Sequence, residues 1–272
     1  MKRHRFLNFY IDSSRNFFHG EKTFPLYEKY KEEQRASLER RYGSEDFNEK
    51  FNRWISVPKP VLSIVGEHSY LLQDIEDTYI LGSYYSALTG ACCLGERIFN
   101  QVILVTKEFY RSSPEYKTVY RKDSINDWNL GINTLVSWKI ISRETEKRFR
   151  QLGELRNASV HFQKKEQDLK KLAVESIQLI NLIISELFEL KKEKDFLIWF
   201  EVPGEIYLKK EAESVPFIKS FYLPCAPFVG YRHTIESTAD LRFKIIDNEQ
   251  YEDVQISDAE FIRLRKDFNK SG

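Results

Sequence analysis

From residue 61 to residue 194 the apolar and polar positions follow a helical rhythm almost without interruption. A first helix is predicted from Leu62 to about Ile80. A longer one follows over Leu81 to Tyr110, with small residues (Ser83, Ser86, Ala87, Gly90, Ala91) that let another helix approach closely, and Pro114 ends it. Ser124 or Asp127 can cap a third helix that runs through Trp128, Leu130, Ile132, Leu135 and Trp138. Ser142 is placed to cap a fourth, with Glu144 and Glu146 near its positive end and Phe149, Leu152 and Leu155 at helical spacing. Lys164-Lys165-Glu166 reads as a solvated joint, and Leu169 to Leu190 closes the block. Four to five helices with short joints imply an up-and-down bundle.

The flanks differ. Residues 1–60 read as a mixed extension: a short strand over His4 to Ile11, a charged helix over Tyr27 to Tyr42 that stops at Gly43, another helix over Glu45 to Trp54, then breaks at Pro58 and Pro60. Residues 195–272 change period. FLIWFEV, EIYLKK, FIKSFYL and LRFKII are rich in aromatic and β-branched residues and are predicted as strands, with a tight turn at Pro203-Gly204. Ser257-Asp258-Ala259-Glu260 has the pattern of a capping box opening a last helix. The predicted fold is mainly α: a four- or five-helix bundle over 61–194, with a small α+β module appended over 195–272.

Composition narrows the class. The chain has 272 residues, 14% of them aromatic, so a large core can form, and its net charge of +1 excludes a globally basic nucleic-acid binder. The three cysteines, Cys92, Cys93 and Cys225, give no disulfide framework. The start lacks an uninterrupted apolar signal region. Leu172 to Leu190 is broken by Glu175, Gln178, Asn181, Ser185 and Glu186, so it reads as an amphipathic core helix, not a membrane span. These readings lead us to expect a reducing cytoplasm and no membrane partner. The five histidines, at 4, 19, 68, 161 and 233, are scattered with no HxxxH or CxxC pattern, so neither a metal site nor another cofactor is expected.

The most informative run is Arg156-Asn157-Ala158-Ser159-Val160-His161. On a helix, Asn157 and His161 are four apart and lie one above the other, whereas Arg156 sits a step around the axis. Both groups reach one phosphate more easily if a second copy of the helix packs against the first, which points to a symmetric dimer with a composite site. The residue types suit RNA cleavage. The 2′-hydroxyl is the nucleophile, a histidine titrates near neutrality and moves the proton, and an arginine offers a permanent bidentate charge to the phosphate. Between Lys139 and Lys171 ten basic residues stand against five acidic ones. Arg148, Arg150, Lys164 and Lys165 are therefore candidate RNA contacts, set against the plain reading of a solvated helix face.

This run, together with the amphipathic helix before it and the long apolar helix after it, resembles the HEPN superfamily in its R-N-x-x-x-H form. The resemblance covers roughly residues 65–192 and takes in Ala87 to Tyr110, similar to the family's long earlier helix with an acidic residue at its middle, here Glu96. It implies a metal-independent endoribonuclease acting as a homodimer in toxin–antitoxin, abortive-infection or antiviral settings. Arg156 and His161 would carry cleavage, Asn157 would orient them, Glu96 would support them, and an antitoxin or sensor protein would be a partner. The family also contains non-catalytic members, so a module that binds RNA or a protein partner is the competing expectation. The C-terminal module has ten aromatics between Phe196 and Phe243 but more acids than bases, which favours core packing over base stacking, and His233 is expected to be structural.

Overall fold

The computed structural model of the protein describes residues 4–5, 27–59, 61, 63–160, 166–189, 207–237, 243–247, 251–252 and 254–271. It is mainly helical, with short strands in a small module, as the sequence predicts. The chain divides into two compact units, one made of Asp12–Val61 and Val65–Phe188, the other of Met1–Ile11, Leu62–Ile64 and Glu189–Gly272.

The larger unit begins with α1 (Tyr27–Tyr42) and α2 (Phe47–Ser56). The sequence sets residues 1–60 apart as an extension, but these two helices belong with the bundle. Asp77 accepts from Arg41 at 2.6 Å and from the Tyr42 hydroxyl at 2.7 Å, Arg53 Nε donates to the Ile80 carbonyl at 2.7 Å, and Trp54 is buried. Such links span roughly 30 residues of chain and leave no periodic trace in the sequence.

The bundle proper comprises α3 (Gly66–Ile80), α4 (Tyr84–Thr106), α6 (Trp128–Ser137), α7 (Arg143–Val160) and α8 (Glu166–Phe188), with one helical turn, α5 (Tyr116–Val119), between α4 and α6. α3 ends in a Schellman cap: Gly82, at φ 92°, donates to the Tyr79 carbonyl, and Ser83 donates to that of Thr78. Asp127, not Ser124, caps α6, accepting from the N–H groups of Asn129 and Leu130. Ser142 Oγ accepts from Thr145 N at the start of α7.

α4 is the central helix, packed on α3, α6, α7 and α8. Its Leu88, Ile98, Phe99, Val102 and Ile103 are fully buried. A Cβ at Gly90 would lie 2.9 Å from Ile75 of α3, and one at Gly95 would lie 2.5 Å from Leu152 of α7, so the small residues of α4 are what let both neighbours close in. Tyr84–Tyr110 is long and apolar enough to cross a membrane by length and composition, and half of its apolar window is buried in this packing.

In the smaller unit, β1 (His4–Arg5) pairs antiparallel with β2 (Phe228–Val229), and β3 (Thr234–Ser237) with β4 (Phe243–Ile246). Tyr207, Val229, Tyr231, Ile256 and Phe261 form its core. FIKSFYL, predicted as a strand, is helical: α9 spans Pro216–Phe221. Its buried residues Phe217, Ile218 and Phe221, with Tyr222 just after its end, recur at the spacing of one helix face, and Pro216 occupies the first turn, where its missing N–H costs nothing. LRFKII contributes β4, whose partner Thr234–Ser237 the sequence pattern did not single out. FLIWFEV and the Pro203-Gly204 turn lie outside the described residues. Ser257 Oγ accepts from Glu260 N and opens α10 (Asp258–Ser271), as the capping pattern predicts.

Candidate functional site

Arg156 and Asn157 sit in the last described turns of α7, where Ser159 Oγ donates to the Arg156 carbonyl at 2.8 Å. His161, Lys164 and Lys165, three of the predicted site residues, lie outside the described residues. Glu96, on α4, stands next to Arg156. Its Oε2 lies 3.5 Å from Arg156 Nε and accepts from the Trp128 indole N–H at 2.9 Å. Arg156 remains 41% exposed, and its two Nη groups carry no hydrogen bond among the described residues. One carboxylate thus holds the inner edge of the guanidinium, and among the described residues nothing bonds to the outer fork, the arrangement a bidentate anion contact requires.

Trp128 and Asn100 are site residues that the sequence reading did not identify. Asn100, one turn after Glu96 on α4, donates to the Ile125 carbonyl at 2.9 Å and accepts from the Ile125 N–H at 2.6 Å. That pair of bonds latches the segment before α6 onto α4. It fixes where α6 starts, and so where Trp128 meets Glu96. No local signal marks Asn100, because its role exists only once the chain returns 25 residues later.

An open cleft of about 430 Å³ runs between the start of α6 and the end of α7. Asn126, Trp128 and Asn129 line it from one side, and Arg150, Glu154, Arg156 and Asn157 from the other. A Cβ at Gly153 would come within 3.1 Å of the Trp128 ring, so the glycine leaves room for the indole against α7.

The predicted cationic surface is partly neutralised. Arg148 pairs with Glu186 of α8 at 2.6 Å and with Glu144 at 3.5 Å, and it does not line the cleft, which argues against its expected role as an RNA contact. Arg150 does line the cleft, but it is held by Glu146, Asn129 and Asn133. Counting charge along one segment misses the carboxylates that neighbouring helices bring in, here Glu96 and Glu186. Burial works to raise the Glu186 carboxyl, but hydrogen bonds from Ser142 and Thr145 and the charge of Arg148 outweigh it and hold the group below the usual carboxylate range.

Two further histidines are structural. His233, as expected, is fully buried: its Nδ1 donates to the Gly230 carbonyl at 2.7 Å and its Nε2 accepts from the Tyr207 hydroxyl at 3.0 Å. His68 is buried against Phe188 and donates from Nε2 to Gln101 Oε1 at 2.8 Å. Cys92 is buried on α4 near Leu152, and burial, reinforced by Cys93 and only partly offset by Arg156, pushes its thiol up to about 12, which removes it as a nucleophile. Among the described residues no three His, Cys, Asp or Glu side chains come together in a way that could hold a metal ion. No family model matches the chain, and neither a curated protein nor a solved structure does, so the cleft and its residues are what bear on function.

Proposed function

We propose that the protein is a HEPN-type endoribonuclease that cleaves RNA without a metal, at a site completed by two copies of the chain. The observation that carries this reading is the setting of Arg156: half-exposed beside an open cleft, held from behind by Glu96, with no bond to its outer fork among the described residues and Asn157 next to it. In the proposed step the 2′-oxygen bonds to phosphorus and the bond from phosphorus to the 5′-oxygen breaks, leaving a 2′,3′-cyclic phosphate. The 2′-hydroxyl proton passes to one His161, the leaving 5′-oxygen takes a proton from the His161 of the second copy, and Arg156 steadies the phosphate oxygens as charge builds. Glu96 and Asn157 orient these groups. A cytoplasmic toxin or antiviral role, restrained by an antitoxin or sensor protein, belongs to the same proposal.

A second reading is a helical module that binds RNA or a protein without cleaving. It is favoured by the carboxylates already paired with Arg148, Arg150 and Arg156, which leave less free positive charge than a polyanion site usually carries.

The test is incubation of the wild-type protein, Arg156→Ala and His161→Ala with mixed RNA in EDTA. Cleavage to cyclic phosphate ends by wild type, reduced about a hundredfold or more in each variant, is the expected result. A folded wild type that leaves RNA intact supports the second reading, and an active variant removes that residue from the site.

A further inference from the structure

Two groups compete for one oxygen of Glu96. The Trp128 indole N–H donates to Oε2 at 2.9 Å, and Arg156 Nε stands 3.5 Å from the same atom, an ion pair with no hydrogen bond. Arg97, the next residue on α4, is paired with Glu67. A carboxylate and a guanidinium this close ordinarily settle into a bidentate pair, with two parallel N–H···O bonds. Here they do not. The Glu96 side chain is only 25% exposed, so an oxygen that lost its donor would turn to the nearest one left, and that is Arg156.

The indole is fixed well enough to win this competition. Its ring packs edge-on against Phe99, with centroids 5.2 Å apart. A Cβ at Gly153 of α7 would come within 3.1 Å of it, and one at Gly95 of α4 within 3.3 Å, so both helices press on the ring. Asn100 pins Ile125 just before α6, and Asp127 caps the helix. The N–H therefore has one direction available, and it anchors Oε2 to α6.

We infer that Trp128 is a positioning residue for the anion site: by holding Glu96 Oε2 it keeps the carboxylate from clamping the Arg156 fork, which leaves that fork available to a phosphate. The inference rests on the phosphate-directed reading of Arg156 above. Glu96 gives Arg156 its direction, and Trp128 limits how far that attraction goes.

The experiment records the guanidinium signals of Arg156 by ¹⁵N NMR in the full chain, assigned by their loss in Arg156→Ala. A guanidinium that turns freely about Nε–Cζ gives one averaged Nη signal, and a clamped one gives two. Wild type gives the averaged signal; two resolved signals there overturn the inference without any variant. Trp128→Phe keeps a ring in the slot and removes the N–H. In it the rotation slows about tenfold or more, as expected when charge-assisted hydrogen bonds must break first, and the signals resolve. Adding Glu96→Gln to Trp128→Phe restores the averaged signal, because a neutral amide does not clamp the fork. Both variants lose the same packing, so a general loosening of the slot affects both alike. A Trp128→Phe signal that stays averaged, or a double variant that stays resolved, overturns the inference.

RNA cleavage measured on wild type and Trp128→Phe separates the two proposals. Cleavage that Trp128→Phe leaves at full rate keeps the ribonuclease and removes the positioning role. The expected NMR pattern with no cleavage by wild type keeps the hold of Trp128 on Glu96 and removes the ribonuclease.

Discussion

At the scale of single residues, Glu96 ties three helices together: it sits on α4, accepts from Trp128 of α6 and faces Arg156 of α7. The tolerances around it are tight. A Cβ at Gly131 would lie 2.8 Å from two atoms of the Phe99 ring, and that ring packs edge-on against both Trp128 and Phe149. Gly131→Ala should therefore destabilise the protein by about 1–3 kcal/mol in urea unfolding, the usual cost of overpacking a filled core. Arg156 and Asn157 were nominated by a compact motif and Glu96 only by the family resemblance, and the structure brings Glu96 beside Arg156. Trp128 and Asn100 could not be nominated, since what distinguishes them is a partner 32 or 25 residues away. Glu154 belongs to no motif, and only the folded chain brings it into the cleft lining.

Among elements, the strongly periodic ones were the readable ones. α1 has the bounds its charged pattern predicted, and the cap of α7 is the serine that the sequence nominated. At α6 two caps were open, and the structure chooses Asp127 while Ser124 bonds to Asn126. Asp127→Ala should cost about 1 kcal/mol of stability by thermal or urea unfolding, and Asp127→Asn should retain most of it, because an amide oxygen can accept from the same two N–H groups. α9 was misread because a short run of aromatic and β-branched residues fits strand and helix alike. Length and the position of Pro216 decide it, and in a six-residue helix both signals are faint.

At the scale of the whole molecule, buried His68 and half-buried Glu186 both contribute to the response to acid. Burial, only partly opposed by the hydrogen bond to Gln101 and the charge of Glu67, holds His68 below its ordinary value of 6.5, with Arg97 pushing the same way. The unfolded chain then binds that proton more readily than the folded one, so stability is full above about pH 6.5 and falls as pH drops toward the folded value. Glu186, also held low, adds a loss that begins only below the ordinary carboxylate value of 4.5. Urea unfolding should show lower stability at pH 5.5 than at pH 7.5, and His68→Phe should flatten that difference; an unchanged slope would remove His68 as its source. The order of the chain through its two units has a further consequence. Because β1 pairs with β2 and the units alternate along the sequence, the peptide crosses from one to the other at four points, near residues 11, 61, 64 and 188. They are stitched, not strung. A protease that nicks one crossing releases neither, and a stop codon after Phe188 removes β2 while leaving β1 without a strand to pair with.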